Sequence, residues 1–207
     1  MGKKEEQSKE VYNRMAREYD SSQEGKYTRP HKTELVKQVE IKDGDAILDV
    51  ACGNGVLLNE LSKKARVVAT GTDISKNMVA IARDRYPNCV FVEGSSFPLD
   101  FPDKSRDVIT VSCAFHHFEN PQGFANECMR VLKAKGAVYM AEPYFSPMVR
   151  WIANYIVFPL SHSGDVKVYS QKELYDYFEK AGFSEIETYI KGTVLFVSAK
   201  KLLNENP

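Results

Sequence analysis

The stretch that decides the fold is Asp49-Val50-Ala51-Cys52-Gly53-Asn54-Gly55, where an apolar strand runs directly into a glycine-rich turn. The run from Ala46 to Val50 is apolar except for Asp49, which is typical of a parallel strand covered on both faces. Leucines at helical spacing follow over 56–65. A strand, a tight glycine turn and a helix predict the first unit of a doubly wound α/β sheet, whose ligands bind at the carboxyl ends of the strands.

The rest of the chain alternates strand and helix signals in the same way. Apolar runs predict strands at 66–72, 89–93, 107–112 and 137–142, and helix starts are predicted at Ser75, at Asn120-Pro121 and at the capping box that begins with Ser170. Two further strands, at 184–190 and 193–200, are predicted to form a terminal antiparallel pair. The pattern predicts one domain over 1–207, with a Rossmann-like seven-stranded, mostly parallel sheet and an antiparallel strand near the C-terminus.

The composition fits a globular domain and argues against two classes of partner. Of the 207 residues 43% are hydrophobic, enough for one sizeable core, and 28 Lys and Arg residues balance 28 Asp and Glu. A net charge of zero disfavours duplex nucleic acid, which usually requires a basic surface. The charged N-terminus lacks the apolar core of a signal peptide, and the apolar stretch at 151–160 is too short to span a bilayer. The four cysteines show no paired spacing, and unpaired thiols suit the reducing cytoplasm. We therefore expect a cytoplasmic protein, and we expect no membrane span.

A second acidic residue, Asp73, narrows the class of ligand. It closes the predicted second strand at about the 20-residue interval after Gly53 at which a carboxylate binds a nucleoside ribose. A dinucleotide site would need glycine or alanine at the position of Leu58, and the carboxylate of Asp49 would repel a pyrophosphate. Asp49 matches a cationic ligand instead, such as an ammonium or a sulfonium. An NAD-type oxidoreductase, and a turn that only packs a strand against a helix, stay open as alternatives.

The order of the motifs resembles class I S-adenosylmethionine-dependent methyltransferases, above all the branch that includes the ubiquinone and menaquinone biosynthesis enzymes. Asp49-x-Ala51-x-Gly53-x-Gly55 is similar to the acidic, glycine-rich first motif of that family. Glu93-Gly94-Ser95-Ser96 and Leu99-Asp100-Phe101-Pro102-Asp103 follow in the family's order. The resemblance implies S-adenosylmethionine as the cofactor and methyl transfer as the reaction.

The resemblance also implies which residues hold the cofactor. Asp49 would lie near the methionyl amino group, Asp73 would bind the ribose hydroxyls, and Ile74 and Met78 would contact the adenine or the ribose. Ser95 stands where an aspartate usually holds the adenine amino group. The cofactor-binding residues predicted on this basis are Tyr19, Asp49, Ala51, Gly53, Gly55, Asp73, Ile74, Met78, Ser95, Ser96 and Cys113.

The groups that could act on the methyl acceptor lie at the ends of the fourth and fifth strands. Methyl transfer is a displacement at carbon, so the enzyme must hold the nucleophile in line and, for a protonated nucleophile, supply a base. The predicted catalytic residues are His117, His116 and Glu142. Consecutive residues at a strand end point in different directions, so we expect at most one histidine to face the acceptor. No metal site is predicted, because no further histidine or cysteine has a supporting spacing.

The segments outside the sheet are assigned to the acceptor. We predict a cofactor-binding core over 45–143 and a C-terminal helix and strand pair over 169–200. A helical lid is predicted over 1–40, and the resemblance implies that Tyr19 of this lid closes over the donor. The insertion at 144–168 is rich in large apolar residues, which predicts a pocket for a small, apolar or aromatic acceptor, or else a homodimer surface. A methyltransferase-like module that binds without catalysis is the third functional reading.

Overall fold

A seven-stranded sheet forms the centre of the computed structural model, which describes residues 2–202. Its strands are β1 (Ala46–Val50), β2 (Val68–Asp73), β3 (Val90–Glu93), β4 (Arg106–Ser112), β5 (Leu132–Pro143), β6 (Ser184–Lys191) and β7 (Val194–Lys200). They are ordered β3-β2-β1-β4-β5-β7-β6, and β7 runs antiparallel to both of its neighbours. The predicted Rossmann-like, mostly parallel sheet is therefore confirmed; Met1 and residues 203–207 of the predicted domain lie outside the described residues.

Helices cover both faces of this sheet. They are α1 (Lys3–Met15), α2 (Gln23–Gln38), α3 (Val56–Ser62), α4 (Lys76–Arg85), α5 (Pro121–Val131), α6 (Pro147–Ile152), α7 (Phe158–Leu160) and α8 (Gln171–Lys180). One core contains Leu35 of α2, Leu58 of α3 and Val79 of α4, and the other contains Phe124 of α5 and Phe178 of α8. Successive residues of β1 enter the two cores in turn, as expected for a strand covered on both faces.

The boundaries of two elements differ most from the predicted ones. Helix α3 ends at Ser62, because the backbone N–H of Lys63 donates to the carbonyl of Glu60 and tightens the last turn. Strand β5 begins at Leu132 rather than at 137, because Leu132 pairs with Arg106 before the register shifts. The lysines that precede the apolar part of β5 hid this edge of the strand from a prediction based on hydrophobic runs.

Two segments lie outside the sheet and its covering layers. A 3₁₀ helix over Ala16–Ser21 joins α1 to α2, and a π-helical turn over Ala153–Val157 joins α6 to α7. The α6–α7 segment exposes large apolar side chains, among them Met148, Trp151, Tyr155 and Leu160. Among residues 2–202, none of the helices combines the length and the apolarity that a membrane crossing requires.

Candidate functional site

The candidate site lies where the order of the strands reverses, between the carboxyl ends of β1 and β4. Ala51 follows β1 with a φ of 55°, and Cys113 follows β4 with a φ of 51°. Both are left-handed conformations that non-glycine residues adopt at a cost, and such residues cluster at functional sites. A cavity opens beside these two residues, in the position that ligand sites occupy in open α/β sheets.

Most of the predicted cofactor-binding residues line this cavity. Those that do are Tyr19, Ala51, Gly53, Asp73, Ile74, Met78, Ser96 and Cys113. The other predicted residues, Asp49, Gly55 and Ser95, lie outside the lining and are described below.

Asp73 is held in place by the backbone of two loops. One carboxylate oxygen accepts the N–H of Gly53 at 2.7 Å, and the other accepts the N–H of Ser75 at 2.8 Å. Burial raises the pKa of Asp73, although the N–H groups of Ser75 and Gly53 act in the opposite direction. The carboxylate thus joins the glycine turn after β1 to the start of α4, at the edge of the cavity.

Asp49 lies beneath the glycine turn and is almost fully buried. Its Oδ1 atom accepts the hydroxyl of Thr110 at 2.7 Å, whereas Oδ2 has no hydrogen-bond partner among residues 2–202. Burial raises the pKa of Asp49 to about 7, against a smaller opposing effect of the Thr110 hydrogen bond. A buried acceptor without a hydrogen-bond partner costs free energy. This oxygen therefore has the properties expected of a group that accepts a hydrogen bond from a bound ligand.

Gly55 and Ser95 pack against other parts of the chain and do not line the cavity. Gly55 begins α3 with a φ of 80°, and a Cβ placed on it would lie 2.7 Å from Cζ of Phe91. Ser95 donates its hydroxyl to Glu5 of α1, and its Oγ accepts the N–H of Phe97 at 3.2 Å. Ser95 therefore connects the segment after β3 to the N-terminal helix.

Two of the predicted catalytic residues, Glu142 and His116, form a buried pair. The carboxylate of Glu142 accepts the N–H groups of Ala114 and Phe115 at 2.8 and 3.0 Å, and its Oε2 lies 2.7 Å from Nδ1 of His116. Burial would raise the pKa of Glu142, but the adjacent His116 holds it below its usual value. Burial would lower the pKa of His116, but Glu142 holds it above its usual value. Neither side chain lines the cavity, and together they fix the turn after β4.

His117 is the predicted catalytic residue that reaches the cavity. Its Nε2 atom lies 3.2 Å from the hydroxyl of Tyr12 of α1, and the two rings meet edge to face at 5.6 Å. Burial and the adjacent His116 lower the pKa of His117 to about 4, so its imidazole is neutral near pH 7. The structure thus separates the histidine pair, with one ring in the cavity wall and the other bound to Glu142.

Comparison with known proteins assigns this arrangement to a family. Residues 48–140 match the family model described as a methyltransferase domain. The demethylmenaquinone methyltransferase of Thermotoga maritima is 33% identical over 148 residues, which cover 68% of this chain and 63% of the relative. The demethylmenaquinone methyltransferase of Chlorobaculum tepidum is 39% identical over 107 residues, which cover 52% of this chain and 44% of the relative. The chain belongs to the class I S-adenosylmethionine-dependent methyltransferase family.

Solved structures show that the fold of this chain extends beyond the segment that the family model covers. The partner of the Trm112 methyltransferase activator from Haloferax volcanii superposes with a TM-score of 0.77 at 20% identity, covering 92% of this chain and 97% of that chain. A SAM-dependent methyltransferase from Thermotoga maritima superposes with a TM-score of 0.70 at 19% identity, covering 94% of this chain and 99% of that chain. The chain nevertheless spans less than two thirds of the length of the two curated relatives described above.

Further residues line the cavity wall that were not predicted from the sequence motifs. Lys32 of α2 lines the cavity, and its Nζ atom lies 5.2 Å from the centroid of the Tyr19 ring. Its charge lowers the pKa of Asp49 and of Asp73, although burial dominates in both carboxyl groups. Other missed residues come from α1 and from the ends of β3 and β4: Glu5, Ser8, Tyr12, Gly94, Ser112, Ala114, Phe118 and Glu119. Periodicity shows that α1 and α2 are helices, but not which of their faces meets the sheet.

Polar contacts hold the N-terminal segment of the chain over the cavity. Oδ1 of Asn13 accepts the hydroxyl of Ser75 at 2.8 Å, and the side-chain amide of Asn77 donates to the carbonyl of Asn13 at 2.8 Å. Asp20 accepts the side-chain amide of Asn54 at 2.6 Å and pairs with Arg85 at 2.6 Å. These contacts tie α1 and the 3₁₀ helix to the glycine turn and to α4.

Proposed function

We propose that this methyltransferase transfers the methyl group of S-adenosylmethionine to a small, apolar or aromatic acceptor by in-line displacement. The observation that carries the proposal is the cavity at the ends of β1 and β4, with Asp73 in its wall and the unpartnered carboxylate oxygen of Asp49 beneath it among the described residues. When bound, S-adenosylmethionine supplies a methyl group that the positive charge on sulfur activates. Two buried acids have the charge that favours a ligand carrying a sulfonium and an ammonium.

The residues of the cavity fit this cofactor at four points. Oδ2 of Asp49 would accept the methionyl ammonium, and Lys32 would pair with the methionyl carboxylate. Each oxygen of Asp73 holds one backbone N–H and keeps a further lone pair for a ribose hydroxyl. A Cβ placed on Gly53 would meet no atom of the described chain within 4 Å, so the backbone is open to a closely approaching ligand.

His117 is the residue that we assign to the acceptor. Its neutral ring lines the cavity together with Tyr12 and Phe118, and this aromatic wall supports an aromatic acceptor. The two relatives named demethylmenaquinone methyltransferase support the same class of acceptor. We assign Glu142 and His116 a positioning role, since their side chains hold the turn that carries His117.

A methyl-transfer assay tests the function. Donor labelled in the methyl group would be incubated with a panel of quinols, naphthols and phenols, with the wild-type chain, His117→Asn and the exposed control His162→Asn. We expect label in at least one aromatic acceptor, a kcat at least tenfold lower in His117→Asn, and wild-type behaviour in His162→Asn. Binding of S-adenosylhomocysteine without label transfer to any acceptor would favour the binding module. A thermal shift with NADH but not with S-adenosylhomocysteine would favour the oxidoreductase.

The insertion at 144–168 supports a second, separate proposal. Among the described residues, no member of this segment lines the cavity, whereas Trp151, Tyr155 and Leu160 are exposed at the surface. We infer that a second copy of the chain covers this surface in a homodimer in the cytoplasm. Light scattering tests the dimer: Trp151→Asp should give the monomer mass, and a monomeric wild-type chain would contradict the proposal.

A further inference from the structure

The segment after α7 brings an acid to the histidine pair. Oδ1 of Asp165 lies 3.8 Å from Nε2 of His116 and 3.7 Å from Nδ1 of His117, and the three ligand atoms all lie within 4.8 Å of one another. We propose that His116, His117 and Asp165 form a binding site for one divalent transition-metal ion. The site does not depend on the proposed methyl transfer.

The spacing of the three atoms fits an ion between them. Two ligand atoms at about 2.0–2.1 Å from one tetrahedral zinc lie about 3.4 Å apart. The two distances to Asp165 exceed this value by a few tenths of an ångström, and the ligand nitrogens of the two imidazoles lie within 4.8 Å of each other, so side-chain rotations must close the larger gap between the rings. Bound metal would therefore draw the three side chains slightly inward without a change in the backbone.

The lone pairs that a metal needs are free or already oriented. Nδ1 of His117 is buried and makes no hydrogen bond of normal geometry within residues 2–202, although the backbone of Gly164 is near enough to act on the ring and raise its pKa. Nδ1 of His116 lies 2.7 Å from Glu142, which leaves Nε2 toward Asp165. A carboxylate bound to the far nitrogen of a histidine is the usual support of a metal ligand, because it fixes the ring and raises its basicity.

The backbone also holds the three residues in fixed relation. The carbonyl oxygen of His116 accepts the N–H groups of Val166 and Lys167 at 2.8 and 3.1 Å, directly beside Asp165. Asp165 in turn accepts the hydroxyl of Ser163. A site assembled before the ion arrives loses little conformational entropy on binding.

The charges around the site favour a cation. Two acids, Glu142 and Asp165, face the histidine pair. The nearby ammonium of Lys167 pairs with Glu173, away from the cluster. Two imidazole nitrogens and one carboxylate are ligands that suit Zn²⁺, Co²⁺ or Fe²⁺ better than Mg²⁺ or Ca²⁺.

The site lies behind the cavity wall. His117 lines the cavity, whereas His116 and Asp165 do not, and Nε2 of His117 faces Tyr12 while Nδ1 faces Asp165. With the metal on Nδ1, the proton of a neutral His117 must reside on Nε2, which then donates to the Tyr12 hydroxyl, so the metal-bound His117 orients the acceptor and does not take a proton from it. The ion would thus act as a positioning group that joins the insertion to the end of β4.

Titration of the chelator-treated full chain, without a polyhistidine tag, tests the site. The probes are Co²⁺, followed by its visible absorption, and Zn²⁺, followed by calorimetry. We expect one ion per chain, with affinity at least tenfold lower in Asp165→Asn and in His117→Asn. The exposed His162→Asn, three residues from Asp165, is the matched control and should bind as the wild type does.

Several outcomes would overturn the proposal. They are the absence of binding in the wild type, wild-type affinity in Asp165→Asn, and an equal loss in the control. If the imidazolium of His116 neutralises Asp165 by itself, the wild type will bind no Co²⁺. Anomalous scattering from wild-type crystals soaked in Zn²⁺ needs no variant, and a peak elsewhere, or none, overturns the assignment.

Discussion

The two walls of the cavity are built in different ways. The wall formed by the ends of β1, β2 and β4 is held by backbone groups, such as the N–H groups of Gly53 and Ser75 on Asp73. The wall formed by α1 and the 3₁₀ helix is held by side-chain contacts, such as those of Asn13 and Asp20. We expect a wall held by backbone groups to move less than a wall held by a few polar side chains, which can open to admit a ligand.

We expect the largest effect from a pair of glycine substitutions in the turn after β1. Gly55→Ala places a Cβ 2.7 Å from Phe91 and 3.1 Å from Ala82 at a φ of 80°, whereas Gly53→Ala meets no described atom within 4 Å at a φ of 53°. We expect Gly55→Ala to lower the free energy of unfolding by about 3 kcal/mol and Gly53→Ala by about 1 kcal/mol. Urea unfolding measures both; equal losses would mean that both glycines serve only the turn.

The carboxylate of Asp73 provides a second test of the wall formed by the ends of β1, β2 and β4. Asp73→Asn keeps the size of the side chain but replaces one acceptor oxygen with a donor group, so that Gly53 or Ser75 loses its partner. We expect binding of S-adenosylhomocysteine to weaken about 30-fold, or about 2 kcal/mol. Calorimetry checks this against the exposed control Asp43→Asn, and equal affinities would contradict the assigned role.

The buried acid Asp49 predicts a dependence on pH. Burial raises the pKa of Asp49 from its ordinary value of 3.8 to about 7, so the stability of the ligand-free protein falls as the pH rises from about 3.8 to about 7. A cationic donor binds the ionised form better, so its affinity should rise about tenfold per pH unit between pH 5.5 and 7. Calorimetry of the donor checks this slope, which Asp49→Asn should abolish. The same slope in that variant would assign the titration to another group.

The contacts of α1 predict the smallest effect. Asn13→Ala removes the acceptor for Ser75 without removing buried apolar surface, so we expect dissociation of S-adenosylhomocysteine to quicken about threefold. Stopped-flow displacement measures the rate, and the free energy of unfolding should change by less than about 1 kcal/mol. A rate that stays the same would show that α1 does not open during ligand exchange.

The same contrast explains what the sequence could predict. Each strand and the glycine turn are formed by consecutive residues, and Asp73 follows Gly53 at a short interval, so local periodicity and spacing were sufficient to find them. Lys32 and Asp165 approach the site only through the packing of distant helices and loops, and no motif marks them. Gly55 and Ser95 belong to the motifs but contact Phe91 and Glu5, because a motif records where the backbone turns and not what each side chain touches.

A crystal structure of the complex with S-adenosylhomocysteine would test directly whether the cavity at the ends of β1 and β4 holds S-adenosylmethionine. We predict the ribose hydroxyls within hydrogen-bond distance of Asp73, the methionyl ammonium on Oδ2 of Asp49, and the sulfur open toward His117. A complex with the ligand bound elsewhere, or with neither carboxylate in contact with it, would contradict the account.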